Sequence, residues 1–139
     1  MSSELVTASV LSSVPDAVSA LKKALETRGI EVFATIDHAA GARQAGLELE
    51  DEVVVIFGNP AVGTHLMQDD PAVGLDLPLR MLFWRHGGET RLAYTDPHVF
   101  AERFALVKSK PILDALASLL ATLADEVSGA GASDGDKNS

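Results

Sequence analysis

The first candidate for a binding site is a glycine-containing segment that follows an apolar run. Val53 to Phe57 is uninterrupted and apolar, and Gly58, Asn59, Gly63 and Thr64 follow it. Glycines at this spacing after a strand are typical of a phosphate-binding loop, but Thr64 stands where the loop requires lysine. We therefore predict that Gly58 and Gly63 shape turns. The alternative is a small-anion site formed by the amides of Gly63 and Thr64 at a helix start.

A second candidate is the pair Asp37-His38. A carboxylate beside an imidazole offers a general base, or two ligands for a metal ion. The alternative is that Asp37 caps a following helix while His38 bonds to the backbone. His65 is the other histidine near these segments, and with Asp37 and His38 it would complete a zinc site. No histidine pair has the i, i+4 spacing of a helical metal site, so we expect no metal and no cofactor.

Asp76 is the last candidate, in the segment Leu75 to Arg80. Its carboxylate could pair with Arg80, or Pro78 could instead begin an edge strand, where the missing N–H costs nothing. The candidate ligand-binding residues are therefore Asp37, His38, Asn59, Gly63, Thr64 and Asp76.

Periodicity and turn signals predict the elements that position these residues. The predicted strands are Leu5–Leu11, Ile30–Asp37, Glu52–Phe57, Leu79–Arg85 and Thr90–Thr95. The predicted helices run from Ser13 to Gly29, from His38 to Ala45, briefly through His65–Met67, from Asp96-Pro97, and from near Ser109 to Val127. Gly87-Gly88 favours a tight hairpin, and hence antiparallel pairing there. The long terminal helices predict an α+β fold with both helices on one face of the sheet.

The amino-acid composition excludes or disfavours several classes of partner and chemistry. Eleven Lys and Arg stand against 20 Asp and Glu, a formal net charge of −9, which disfavours nucleic acids and anionic membranes as partners. The absence of cysteine excludes thiolate chemistry and disulfides. The start, Met1 to Glu4, lacks the pattern of a signal peptide, so we expect a soluble cytoplasmic protein. One domain is predicted over 1–128, followed by a disordered polar tail over 129–139.

Several segments together resemble the domain-of-unknown-function family numbered 302. They are Phe33-x-x-Ile36-Asp37-His38-Ala39-Ala40-x-Ala42, Gly46-Leu47, Ile56-Phe57-Gly58-Asn59-Pro60-x-x-Gly63-Thr64-x-Leu66-Met67, Leu75-Asp76-Leu77-Pro78-Leu79-Arg80 and Tyr94-x-Asp96-Pro97. The resemblance runs from about Leu5 to Leu123. It implies a TATA-binding-protein-like α+β fold, β-α-β(4)-α, with a curved, mostly antiparallel sheet, often found as a homodimer. It implies no established activity.

Three hypotheses follow. The first is a non-enzymatic module that binds a small molecule in a concave pocket rimmed by the candidate residues. The second is a structural homodimer whose motifs shape turns and an interface. The third is an enzyme in which His38 acts as general base, with Asn59 and the Gly63 and Thr64 amides binding an oxyanion.

Overall fold

A computed structural model describes residues 4–129. The strands are β1 Leu5–Val10, β2 Glu31–Asp37, β3 Glu52–Gly58, β4 Leu79–His86 and β5 Glu89–Thr95. The helices are α1 Val14–Thr27, α2 His38–Gln44, α3 Pro60–Asp69, α4 Phe100–Arg103 and α5 Lys110–Ser128, with short 3-10 helices at Pro71–Asp76 and Pro97–Val99. The five strands form one sheet in the order β1-β5-β4-β3-β2, and every neighbouring pair is antiparallel.

The local signals at the first helix and at the hairpin are confirmed. Ser13 caps α1 by accepting a hydrogen bond from the Asp16 amide at 3.2 Å. Gly29 follows the helix in the left-handed conformation that glycine permits, with φ of +69°. Gly87 and Gly88 also have positive φ and join β4 directly to β5. These boundaries therefore coincide with the helix-cap and turn signals in the local sequence.

One face of the sheet carries the hydrophobic core. Alternate residues of the strands point toward α1 and α5, which contact each other, and the two helices and this face share one buried cluster. The strand side chains at its centre are fully buried: Val55, Phe57, Met81, Phe83 and Leu92. Burying a side chain of this size contributes roughly 1.5–3 kcal/mol each. The predicted α+β fold, with both long helices on one face, is confirmed.

A bulge in β2 changes the expected alternation of that strand. Val32 pairs with the inward-facing Phe57, but Ala34 pairs with Ile56 on the opposite face, because Phe33 is an extra residue in the register. Strict alternation along β2 would place Val32, Ala34 and Ile36 on one face, but the bulge leaves Val32 on the core face and turns Ala34 and Ile36 to the other. The bulge leaves Phe33 44% exposed at the edge of the sheet.

The segment after β3 is a helix rather than the predicted glycine loop. α3 begins immediately after Asn59, whose side chain accepts a hydrogen bond from the Ala61 amide at 2.9 Å. Pro60 occupies the first helical position, where its missing N–H costs nothing. These start signals outweigh Gly63, which lies in the helix with no positive φ.

Two neighbouring carboxylates connect the end of α3 to the start of α5. Asp69 Oδ2 accepts hydrogen bonds from the Ser109 hydroxyl at 2.7 Å and the Lys108 amide at 2.8 Å. Asp70 Oδ2 accepts from the Ala105 amide at 2.8 Å. The Ser109 bond, then the Lys108 bond, lowers the pKa of the Asp69 carboxyl. Ser109 holds the predicted cap position, but its hydroxyl bonds to Asp69 and not to its own helix.

Of the predicted C-terminal tail, 129–139, the structure describes only the first residue. Gly129 ends α5 in the left-handed conformation, with φ of +86°. The remainder of the predicted disordered tail, 130–139, lies outside the described residues.

Candidate ligand-binding site

The candidate residues divide between the two ends of β3. Asp37 pairs with Val53 near the start of that strand, whereas Asn59 follows its last residue, Gly58. Six residues of extended chain separate these positions, or roughly 20 Å. Asp37 and His38 therefore do not meet Asn59, Gly63 and Thr64.

The first group has a structural role. Asp37 caps α2 by accepting a hydrogen bond from the Ala40 amide at 2.9 Å. His38 is exposed, and its ring makes no hydrogen bond to the residues that the structure describes. The hypothesis that His38 is a general base acting on an atom held by Asn59 is wrong, because the two side chains lie at opposite ends of a strand.

The expected anion site at the glycine segment is also not formed. The Gly63 amide donates to the Asn59 carbonyl at 3.0 Å as an ordinary helical hydrogen bond. Thr64 lies one residue further into α3, where helical geometry commits its amide to the Pro60 carbonyl. The Thr64 hydroxyl donates to that same carbonyl at 2.7 Å. Neither amide is free to bind an oxyanion.

Asp76 lies near the Asn59 end of the sheet but has a different partner from the one predicted. Arg103 Nη1 donates to Asp76 Oδ2 at 2.6 Å, and Arg103 Nη2 donates to Glu4 at 3.2 Å. These carboxylates, Asp76 first, raise the pKa of Arg103. Arg80 makes no ion pair with Asp76, and Pro78 precedes the central strand of the sheet rather than an edge strand.

An apolar pocket of about 320 Å³ lies where β3 gives way to α3. Asn59, Gly63 and Thr64 line it, together with residues from β2, from the 3-10 helix and from α5. Its full lining is Phe33, Gly58, Asn59, Pro60, Val62, Gly63, Thr64, Leu66, Met67, Gly74, Leu77, Pro78, Leu79 and Leu116. The Leu77–Pro78 peptide bond in this wall is cis. The volume lies at the lower end of the range for small-molecule sites.

Gly63 leaves space in this pocket that a side chain would fill. A Cβ atom at this position would lie 3.7 Å from Leu77 Cδ1, an ordinary van der Waals contact. Glycine inside a helix costs about 1 kcal/mol relative to alanine. Gly74 differs, because a Cβ atom there would approach Met67 Sδ to 3.1 Å. The close approach of Met67 explains why position 74 is occupied by glycine, whereas the contacts at position 63 would also accept a side chain.

Two further pockets adjoin the first. One of about 460 Å³ extends toward Ile112 and Leu119 of α5 and shares Asn59 and Val62 with it. The other, of about 200 Å³, is lined by Asp76, Arg80 and Arg103, with Pro78 and Leu79 as shared walls. The polar candidate Asp76 therefore lies behind Pro78, next to the apolar pocket but outside it.

The described residues contain no group of three or more acidic or histidine side chains arranged to hold a metal ion. The zinc site considered for Asp37, His38 and His65 is therefore not assembled. His65 is exposed on α3, one residue beyond Thr64, while Asp37 and His38 lie at the far end of β3.

Two carboxylates lie on opposite sides of the His98 ring. Its Nδ1 lies 2.9 Å from Asp96 Oδ1, and its Nε2 lies 2.7 Å from Asp114 Oδ1. A carboxylate only accepts hydrogen bonds, so both contacts are satisfied at once when the imidazole is protonated. The bond to Asp114, supported by Asp96 and opposed by partial burial, raises the pKa of His98. Asp114 comes from α5, and its distance along the chain hid this contact from sequence patterns.

Because Asp96 and Asp114 stabilise protonated His98, we expect the free energy of unfolding to fall as the pH rises. A His98 pKa raised in the folded state stabilises the fold fully below the unfolded value of about 6.5, and this stabilisation disappears as the pH passes the folded value. We expect the difference in unfolding free energy between the native chain and His98→Gln to shrink from pH ~5 to pH ~9. Urea denaturation across that range measures it. A constant difference would show that protonation of His98 does not contribute.

Five antiparallel strands covered on one face by two long helices, with an apolar pocket at one sheet end, define an α+β pocket-bearing domain. The chain belongs to the family described as Domain of unknown function DUF302, whose sequence profile matches residues 6–127. The resemblance seen in the motifs is thus confirmed. The crystal structure of uncharacterized conserved protein DUF302 from Bacillus stearothermophilus is similar, with a TM-score of 0.76 and 18% identity over 89% of this chain and 98% of that chain. At this identity the likeness shows the fold alone.

Relatives with higher sequence identity are named fluoride-specific ion channels. The fluoride-specific ion channel FluC 1 of Brucella suis biovar 1 (strain 1330) is 41% identical over 111 residues, which are 79% of this chain and 44% of that protein. FluC 1 of Brucella abortus biovar 1 (strain 9-941) is also 41% identical over 111 residues, 41% of its length. The chain spans less than half the length of these relatives. Within residues 4–129, no helix has the length and apolar character needed to cross a membrane.

Proposed function

We propose that this chain is a small-molecule-binding module whose ligand occupies the apolar pocket beside Asn59. The observation that carries the proposal is the space at Gly63, inside α3. A helix would gain about 1 kcal/mol from alanine at that position. Retaining glycine there is useful if the space beside it must stay open. The β2 bulge supports the same interpretation, because bulges often re-aim a side chain at a site, and Phe33 lines this pocket.

A thermal-shift screen of small organic molecules tests this function. A ligand present at about 100 times its dissociation constant stabilises the folded chain by about 2.7 kcal/mol, which raises the melting temperature by several degrees. We expect at least one compound to produce such a shift in the native chain. A broad screen with no shift sensitive to substitution of Gly63 would contradict the proposed function.

A second candidate function is association with a fluoride-specific ion channel. In the Brucella relatives, a segment similar to this chain forms part of a protein of that name. Two segments joined in one chain act at a high effective concentration, which favours a working contact between them. We propose that the domain formed by this chain regulates such a channel.

Fluoride flux through liposomes that hold the channel tests this second candidate. Adding the purified chain should change the flux by about fivefold, the lower range of allosteric coupling. Unchanged flux, with no chain sedimenting with the liposomes, would contradict it.

We also propose that the chain forms a homodimer. Ile36, Val54 and Leu82 form an apolar row across three strands on the face away from α1 and α5, in which Ile36 is 43% exposed, Leu82 is half-buried and Val54 is 9% exposed. We propose that a second copy covers this row, and that the dimer acts in the cytoplasm. Sedimentation equilibrium should give twice the monomer mass for the native chain and the monomer mass for Ile36→Lys. A monomeric native chain would contradict the dimer.

A further inference from the structure

We infer that the ligand of the pocket beside Asn59 is an uncharged, mainly apolar molecule with a hydrogen-bond acceptor that meets the Asn59 side-chain amide. The inference rests on the proposed function and names the class of molecule that the same site would bind. It follows from the charge of the lining, the orientation of one amide group and the state of one hydroxyl.

Among residues 4–129, no ionisable side chain lines the pocket. A charged ligand would have to leave water without a partner of opposite charge, which is costly in an apolar environment. The chain as a whole carries a formal charge of −9, which adds a general repulsion of anions. Cations would find no carboxylate in the lining, since Asp76 lies behind Pro78 and is paired with Arg103. A neutral ligand avoids both costs.

The cap of α3 fixes the orientation of the Asn59 side chain. Its Oδ1 accepts the Ala61 amide proton at 2.9 Å, so its Nδ2 is directed away from the helix end. This NH₂ group has no hydrogen-bond partner among residues 4–129, and Asn59 lines the pocket. Asn59 is exposed, so this NH₂ group meets water in the free chain, and a ligand carbonyl or ether oxygen would replace that water as its acceptor.

The other side-chain polar group in the lining is already committed as a donor. The Thr64 hydroxyl proton goes to the Pro60 carbonyl at 2.7 Å. The Gly63 amide proton goes to the Asn59 carbonyl. The Asn59 NH₂ group, the side-chain donor in the lining that no residue of 4–129 occupies, therefore favours an acceptor on the ligand, while the apolar walls favour its hydrocarbon part.

Three probes of similar length test this class: 2-octanone, octanoate and octylammonium. Isothermal titration calorimetry on the native chain should show 2-octanone binding at least about tenfold tighter than either charged probe. Tighter binding of octanoate or octylammonium, abolished by Gly63→Leu, would overturn the inferred class and leave the binding function standing. If none of the three binds, the class is overturned, whereas the binding function falls only if the broad screen also finds no ligand sensitive to Gly63.

Asn59→Asp tests the proposed acceptor contact without removing the helix cap. Aspartate is as good a cap as asparagine, so the fold should persist, but an oxygen replaces the NH₂ donor. We expect 2-octanone to bind this variant about tenfold more weakly. Ser13→Asp adds the same charge at the cap of α1, and Ser13 does not line the pocket, so it should bind like the native chain. Equal binding by Asn59→Asp and Ser13→Asp would overturn the acceptor contact.

Discussion

Replacing Gly63 with leucine is expected to abolish ligand binding while the melting temperature stays at or above that of the native chain. The new side chain would start 3.7 Å from Leu77 Cδ1 and 4.0 Å from Met67 Cε, and would fill the pocket that these residues line. A ligand forced to compete with it should bind about a hundredfold more weakly, which corresponds to about 2.8 kcal/mol. The helix itself also gains when glycine is replaced by leucine, by somewhat less than the roughly 0.8–1.0 kcal/mol that alanine would contribute.

The matched control is Gly41→Leu. Gly41 also lies inside a helix, α2, and a Cβ atom there would meet nothing within 4 Å. Both variants gain helix propensity, but only the substitution at Gly63 fills the pocket. Calorimetry with a ligand found in the screen, together with thermal melting, separates the two effects. Equal affinity in both variants would place the ligand elsewhere. If Gly63→Leu alone unfolds, Gly63→Ala provides a smaller change for the same comparison.

Replacing Phe83 with alanine should cost about 3–5 kcal/mol of unfolding free energy. Phe83 lies on β4, the central strand, and its side chain is fully buried between the sheet and the helices. Removing the ring leaves a cavity that rigid neighbours on both sides cannot close. Urea denaturation measures the loss.

Phe33→Ala is the control for the same chemical change at an exposed position. Phe33 is 44% exposed and lies on the edge strand β2, so its removal should cost well under half as much as that of Phe83. Because Phe33 lines the pocket, the same variant should still weaken ligand binding. Similar stability losses for Phe83→Ala and Phe33→Ala would contradict the burial that distinguishes them.

Elements defined by local chemistry were predictable from the sequence. The cap at Ser13, the left-handed Gly29 and the Gly87-Gly88 turn all act within a few residues, and each boundary was found. Asp37 as a helix cap belongs to the same group. Features of this kind depend on the intrinsic preferences of backbone and side chain, which a single sequence contains.

The errors near the site have identifiable physical causes. Two glycines and a proline are typical of a loop, so local composition does not predict the start of α3, although Asn59 and Pro60 form a helix start. The bulge at Phe33 was missed because it appears only in the pairing of β2 with β3, which no local pattern encodes. Both features contribute walls to the pocket. Sequence reasoning could therefore name Asn59 and Gly63 but not the cavity between them.

The remaining features of the site depend on contacts between residues that are distant in the sequence. Met67 and Leu77 become pocket residues only after α3 and the 3-10 helix fold back beside the sheet. Asp76 finds Arg103 rather than the nearby Arg80, because the chain between them returns to the same end of the sheet. A prediction from sequence spacing favours a nearby partner such as Arg80. In the folded chain, Asp76 pairs with the distant Arg103 instead.

The most direct test of ligand binding in the pocket beside Asn59 is a ¹H–¹⁵N and methyl NMR titration of the native chain with 2-octanone. The largest shift changes should occur at Gly58, at Gly63 and at the methyl groups of Met67 and Leu77, all of which line the pocket. Signals from His38 and Ala39, at the far end of β3, should stay in place. Changes confined to that far end, or spread evenly over the sheet, would contradict a binding site in the pocket.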